Sequence, residues 1–378
     1  MKFVHLSDLH LGKRVNEFSM LEDQRHILLR VLQVIGQERP DAVVIAGDVY
    51  DKAIPPAEAV TMFDEFLVRL AGMKLQVFVI SGNHDSAERI AFGGRLMDAS
   101  GIHMAPVYSG AAAPFEMSDG YGKIRIYMLP FVKPSDVRHA YPGEEAGSYT
   151  EALRTAVSHM DVDPSVRNIL AAHQFVTGAV RSESEDVSVG GLDNVDASVF
   201  DAFDYVALGH IHGPQHIGRE TVRYCGTPLK YSFSEKDHRK SVTVVTMKEK
   251  GETEIRTVPL DPLHDLREIR GTYNDLTLKT NYEGTATDDY LHVVLTDEED
   301  VPDALARLRT VYPNIMKLDY DNTRTRNAGS LSVPEETERK SEIELFEMFF
   351  EQQNGRPMSE EQRQFSGHLL EKVREEMR

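Results

Sequence analysis

The stretch Phe3-Val4-His5-Leu6-Ser7-Asp8-Leu9-His10 decides how this chain reads. Its first four residues form a short, mostly apolar run without regular polar alternation, the signature of a strand covered on both faces. The run ends in a carboxylate and an imidazole two positions apart, so both can face one side as the strand leaves its sheet. The same grammar recurs four times. Ala42-Val43-Val44-Ile45-Ala46 leads into Gly47-Asp48, and Val77-Phe78-Val79-Ile80 into Gly82-Asn83-His84-Asp85. Ile169-Leu170-Ala171-Ala172 leads into His173, and Tyr205-Val206-Ala207-Leu208 into Gly209-His210-Ile211-His212. In open α/β sheets ligands bind beyond the carboxyl ends of the strands. Five such strands therefore bring Asp, His and Asn side chains to one rim, a metal site assembled by topology.

Composition sets the bounds. A length of 378 residues fits two or three domains, and 41% hydrophobic content is ample for a large core. The single cysteine, Cys225, excludes an intramolecular disulfide and a Cys-rich zinc module and fits a reducing cytoplasm. With a strand expected from residue 2, no signal peptide is expected, and no apolar run reaches membrane-spanning length. A net charge of −19 argues against a generally adhesive nucleic-acid binder. It leaves nucleic acid open, because divalent cations supply positive charge where a phosphodiester must sit.

Helical spacing separates the strands. Phe18, Leu21, Ile27, Leu28, Val31, Leu32 and Ile35 form one stripe, with Pro40 just beyond it. Ala59, Val60, Phe63, Phe66, Leu67 and Leu70 form a second after Pro55-Pro56, a suitable helix start. Strand, helix, strand, helix, strand is a parallel α/β layout. Runs at 221–224 and 241–247 read as antiparallel strands closing a second sheet. Pro262 marks a boundary, giving a main domain over 1–260 and a small α+β module over 261–320. That module is expected to hold strands at 266–269, 290–295 and 315–319 and a helix at 303–310. Residues 321–340, polar and aperiodic, read as a flexible linker. Residues 341–378 read as two amphipathic helices. Ile343, Leu345, Phe346, Phe349 and Phe350 load the first, and Phe365, Leu369, Leu370 and Val373 the second. Gly355-Arg356-Pro357 breaks the chain between them, and Ser359 with Gln362 forms a capping box.

The candidate ligands are Asp8, His10, Asp48, Asn83, His173, His210 and His212. Oxygen and imidazole donors without thiolate favour Mn²⁺ or Fe, with Zn²⁺ as an alternative. A carboxylate such as Asp48 can bridge two cations, one oxygen to each. Two cations a few ångströms apart suit in-line phosphoryl displacement.

Taken in order, Asp8-Leu9-His10, Gly47-Asp48, Gly82-Asn83-His84-Asp85, His173 and Gly209-His210-Ile211-His212 resemble the motifs of calcineurin-like metallophosphoesterases. Within them the chain is similar to the Mre-type DNA nucleases. That narrower likeness rests on Ser7 to Lys13, Gly47 to Asp51, Gly82 to Ser86, and Tyr224-Cys225-Gly226-Thr227-Pro228-Leu229-Lys230-Tyr231-Ser232-Phe233-Ser234-Glu235. The resemblance implies a β-sandwich flanked by helices, a small DNA-contacting capping domain and a C-terminal helical hairpin. It places Asp8, His10 and His212 on one metal and Asn83, His173 and His210 on the other, with Asp48 bridging. His84 would protonate the leaving group or stabilise the transition state. It further implies DNA as substrate, an SMC-like ATPase partner docked through the terminal helices, and a homodimer within a heterotetramer. Hydrolysis of small phosphoesters by a stand-alone enzyme, or a scaffold without catalysis, are the alternatives.

Other residues have simpler readings. Lys13 and Arg14 follow the first motif and are candidates to touch substrate phosphates, although paired basic residues in loops are commonly just solvated. His5 and His26 read as structural, Asp51 as a turn residue, Asp85 as a supporting carboxylate and Cys225 as a small buried residue.

Overall fold

The computed structural model describes residues 1–110, 112–185, 193–328, 341–354 and 356–376. They fall into two compact units, Met1–Leu266 and Arg267–Arg378.

The first unit begins β1 (Lys2–Leu6), α1 (Leu21–Glu38), β2 (Ala42–Ala46), α2 (Ala57–Gly72), β3 (Gln76–Ile80) and β4 (Ile102–Met104). The expected alternation is present. The first helix starts at Leu21, because Phe18 pairs with Val15 in a short hairpin. It stops where Arg39 turns left-handed (φ 48°), donates its N–H to the Ile35 carbonyl and precedes Pro40. The second helix follows Pro56 directly and buries Ala59, Met62, Phe63, Phe66, Leu67 and Leu70. Next come β5 (Phe115–Asp119), β6 (Gly122–Leu129), α3 (Pro134–Ala140), α4 (Tyr149–Ser158), β7 (Arg167–His173), β8 (Tyr205–Gly209), β9 (Gln215–Ile217), β10 (Arg219–Tyr224), β11 (Ser241–Met247) and β12 (Thr253–Pro259).

These strands form two six-stranded sheets, ordered β12-β11-β1-β2-β3-β4 and β9-β10-β8-β7-β6-β5. Phe3, Ala42, Val44, Phe78 and Val245 of the first pack with Ile124, Ile126, Ile169, Tyr205 and Ala207 of the second in one buried cluster. The second sheet's other face buries Tyr127, Leu170, Val206 and Leu208 with Leu153 and Ala156 of α4. Such inner side chains each contribute roughly 1.5–3 kcal/mol on burial.

The structure corrects the strand assignment in two places. β11 pairs antiparallel with β1 and so extends the first sheet, and β10 runs parallel to β8. The five motif-bearing strands also divide between sheets, with β1, β2 and β3 in the first and β7 and β8 in the second. The rim of candidate ligands therefore spans the sandwich.

The second unit holds β13 (Leu266–Gly271), α5 (Tyr273–Thr277), β14 (Tyr290–Leu295), α6 (Ala304–Leu308), β15 (Ile315–Tyr320), α7 (Thr323–Ala328), α8 (Glu342–Asn354) and α9 (Glu360–Glu376). The strands form a three-stranded sheet with β14 central and parallel to β15. Leu291, Val293, Leu295, Leu308, Tyr312 and Ile315 make its core. The division between units falls at Leu266, six residues beyond the expected boundary. His264 is tied back by Asp23 and Asp265 by Lys230. The start of the expected linker is instead helical. Asn322 accepts from the Thr325 N–H at 3.0 Å, and Arg324 pairs with Asp300, anchoring α7 to the module. Residues 329–340 lie outside the described residues.

In α8 and α9 the Ser359–Gln362 box forms as expected, at 2.9 and 3.2 Å. Arg363 pairs with Glu347 across the helix pair at 2.5 Å. Phe346, Phe349, Phe365 and Leu369 are 40%, 50%, 70% and 53% exposed. Ile343, Phe350 and Leu370 are half-buried.

Candidate metal centre and its surroundings

Each candidate ligand ends a buried strand or lies within four residues of its end, and the backbone at several of them is strained. Asp8, His10, Asp48 and His210 have positive φ, at 53°, 44°, 49° and 100°. A non-glycine residue held this way costs on the order of 1 kcal/mol, and such strain concentrates where side chains must be aimed. Two glycines make room for the crossing of the sheets. A Cβ on Gly209 would fall on the Ala46 carbonyl oxygen, and one on Gly47 would strike the His173 ring. His173 thus sits against both strand ends and donates Nδ1–H to the Ala46 carbonyl at 2.8 Å.

All seven expected ligands converge. Asp8, His10 and His212 offer atoms close enough to share a cation, as do Asp8, Asp48 and His173, and His10, Asp48 and His84. His10 Nε2 and His212 Nε2 face each other at 3.1 Å. The Asn83 Oδ1 lies 3.0 Å from His173 Nε2 and 2.8 Å from His210 Nδ1. Asp48 lies between the two groups. Its Oδ2 is 3.7 Å from His10 Nε2 and 3.3 Å from His173 Nε2. Its Oδ1 accepts the His84 N–H at 2.9 Å. Oδ2 thus faces both imidazole groups, while Oδ1 is engaged by the His84 amide.

Electrostatics fit a cation. Burial, with Asp48 beside it, raises the Asp8 carboxyl to about 6 against the pull of His173. Burial works against charge on Asp48 too, yet His173, His10 and His84 outweigh it and hold that carboxyl well below the usual range. Burial opposes charge on His173, but the Asp48 and Asp8 carboxylates outweigh it and lift the ring to about 9, so a cation bound there would have to displace its Nε2 proton. Burial lowers His210 to about 3 and His10 well below its ordinary value, leaving neutral rings with lone pairs to give. The buried His10 Nδ1 and His210 Nε2 have no hydrogen-bond partner. Two buried carboxylates with neutral imidazoles and an amide oxygen are a hard-to-borderline donor set for a divalent ion.

His84 is at the edge of this cluster. Its Nδ1 faces the Asp51 carbonyl at 3.1 Å, and its Nε2 is 4.0 Å from Asp48 Oδ2. Asp51 also pairs with Lys13 at 2.7 Å. Lys13 is accordingly held low over the Tyr231 ring, while the Arg14 side chain bonds the Glu17 carbonyl. Asp85 supports the second and third motifs, accepting the Gly82, Val49 and Tyr50 N–H groups at 2.9–3.1 Å.

The 224–235 segment, recognised only by resemblance, proves to be the wall behind His10 and His212. Tyr231 donates to the Leu9 carbonyl at 2.6 Å and accepts from Gln24 at 3.0 Å. Glu235, fully buried, meets Lys240 at 2.5 Å and Ser184 at 2.5 Å. Ser184 and Glu185 had no signal in the sequence. They lie on a polar loop, and nothing local distinguishes them from solvated residues.

Residues 1–214 match the calcineurin-like phosphoesterase family, and residues 262–354 match the type 5 capsule protein repressor C-terminal domain. The D component of the SbcCD nuclease from Staphylococcus epidermidis is 32% identical over 98% of each chain. A dimetal phosphatase from Danio rerio covers 69% of this chain and 99% of its own at 13% identity, with a TM-score of 0.41. A Thermus thermophilus protein covers 68% of this chain and 98% of its own at 12% identity and a TM-score of 0.36. The chain belongs to the calcineurin-like phosphoesterases, and within them to the family of the SbcCD nuclease's D component. Among the described residues no helix is long and apolar enough to cross a membrane.

Proposed function

We propose that this chain is the metal-dependent nuclease subunit of an SbcCD-type complex, hydrolysing DNA phosphodiesters at ends and in single strands during repair and recombination. The observation that carries the reading is the convergence of buried Asp8, His10, Asp48, His173, His210 and His212 with half-buried Asn83 at one rim. It is supported by a relative of that name along nearly the whole chain.

In this reading Asp8, His10 and His212 would hold one divalent ion and Asn83, His173 and His210 the other, with Asp48 shared between them. The donor set suits Mn²⁺ first, with Fe or Zn²⁺ as alternatives. When bound, the pair supplies the positive charge that a phosphodiester and an attacking water need. The residues of the chain do the rest. Asp48 offsets the charge of the pair and, through Oδ1, fixes the His84 amide. His84, turned by the Asp51 carbonyl, presents Nε2 to the leaving oxygen and delivers a proton there. Lys13 and Arg14 are the candidate phosphate contacts beside the rim.

The exposed aromatic residues of α8 and α9 are the docking face for an SbcC-type SMC-like ATPase. An amphipathic helix laid on helices of a partner is a common mode. Ile343, Phe346, Phe349, Phe350, Phe365, Leu369 and Leu370 form that face. The small module contacts DNA, the assembly is a heterotetramer built on a homodimer, and the compartment is the cytoplasm.

The test pairs the full chain with its ATPase and compares Mn²⁺-dependent cleavage of duplex DNA ends with that of a small aryl phosphodiester. Cleavage of DNA stimulated by the partner and ATP is expected. Turnover of the small ester alone, unaffected by the partner, would make it a stand-alone phosphoesterase.

A further inference from the structure

The loop residues Ser184 and Glu185 and the pair Glu235–Lys240 close on His212 from the side away from His10. Ser184 Oγ is 2.7 Å from His212 Nδ1 and 2.5 Å from Glu235 Oε1. A hydroxyl has one proton, and the carboxylate, which has none, must receive it. Ser184 Oγ therefore accepts from His212, which puts the ring proton on Nδ1 and leaves Nε2 bare, facing His10. Lys240 holds the far side. Its Nζ donates to Glu235 Oε2 at 2.5 Å, to Thr227 Oγ1 at 2.7 Å and to the His212 carbonyl at 2.9 Å. Glu185 Oε1 accepts the His212 N–H at 2.6 Å. Ring and backbone of His212 are thus both gripped by groups far from it in sequence. Glu185, Glu235 and Lys240 are each buried, at 6%, 0% and 6% exposure.

We infer that Ser184 is a positioning residue for the metal centre, its hydroxyl fixing the tautomer and rotation of His212 under control of the Glu235–Lys240 pair. The inference rests on His212 being a ligand. Partners of this kind behind a ligating histidine typically alter metal affinity by 10–100-fold when removed. Ser184→Ala removes only one hydroxyl from a half-buried loop position, and Glu235 retains Lys240, so the fold has no reason to fail.

The experiment titrates Mn²⁺ into the metal-free full chain, following free Mn²⁺ by electron paramagnetic resonance, and records thermal unfolding of the metal-free protein alongside. Ser184→Ala should weaken one of the bound ions by about tenfold or more without moving metal-free unfolding. Ser184→Thr, which keeps the hydroxyl, should restore binding. Parental affinity in Ser184→Ala overturns the inference. So does a loss of affinity matched by a fall in metal-free unfolding temperature, or a Ser184→Thr variant no better than Ser184→Ala. His212→Ala separates the two levels. Weakened binding there with parental binding in Ser184→Ala sinks only the positioning role, whereas parental binding in His212→Ala sinks the ligand assignment as well.

Discussion

The rim of the sandwich and the terminal helix pair are built on opposite terms. At the rim, polar side chains are buried: Asp8, His10 and His173 are fully inaccessible, and Asp48 and His212 are 2% exposed. In α8 and α9 apolar side chains are exposed, up to 70% at Phe365. Buried polar groups are costly unless other groups satisfy them, and exposed large apolar patches commonly mark a partner. Each region departs from ordinary burial among the described residues, and on the proposed reading cations would satisfy the first and a partner's apolar surface the second.

The largest expected effect lies at the rim. Asp48→Ala removes the one oxygen that faces both imidazole groups. It should abolish hydrolysis and lower bound metal, read by elemental analysis and a DNA cleavage assay. Two ions per chain with near-parental rates would break the ligand assignment.

His84→Ala should lower the rate roughly a hundredfold or more, the scale of a lost general acid, with metal content unchanged. A loss of metal together with rate would move His84 into the ligand set, as its proximity to His10 and Asp48 permits.

For the tail, Phe346→Ser with Phe349→Ser should weaken co-purification with the ATPase at least about tenfold, as for loss of an aromatic anchor. Cleavage of simple substrates with Mn²⁺ should be retained. The double variant is cleaner than truncation after Tyr320. That cut also removes Asn322, which donates to the Asp297 carbonyl at 3.0 Å, and the Arg324–Asp300 pair. Full-length affinity in the double variant would return these aromatics to the parent fold.

The smallest effects are in stability and contrast the regions most directly. Chelation should lower the unfolding temperature of the chain, since an ion at a hundred times its Kd contributes about 2.7 kcal/mol. The tail double variant should leave that temperature within about 2 °C, because exposed side chains contribute little to folding. A tail variant that unfolds early would mean that the aromatics are already covered.

Much of the first unit was legible because fully buried parallel strands write themselves as continuous apolar runs. β2 and β8 are buried at every position. Their C-terminal ends are where a topological rim must lie, so the seven donors could be named. The short helix α7 was missed, because Asn322, Asp300 and Glu298 hold a polar hexapeptide helical by contacts 20 or more residues away. The strand at 241–247 was seen but given to the other sheet, since an alternation of Val and Thr says nothing about which edge it joins.

The sequence by itself determined the types of the candidate donors, the order of the motifs and the amphipathic ends, because residue type and short-range period are local properties. Only the tertiary structure decided that the rim crosses two sheets, that Asp48 turns a single oxygen to both groups, and that Ser184, Glu235 and Lys240 stand behind His212. Those are relations between residues up to 56 positions apart in the last case, as Lys240 lies that far from Ser184. Chain contacts at such separations are fixed by how buried surfaces pack together, which no local pattern records.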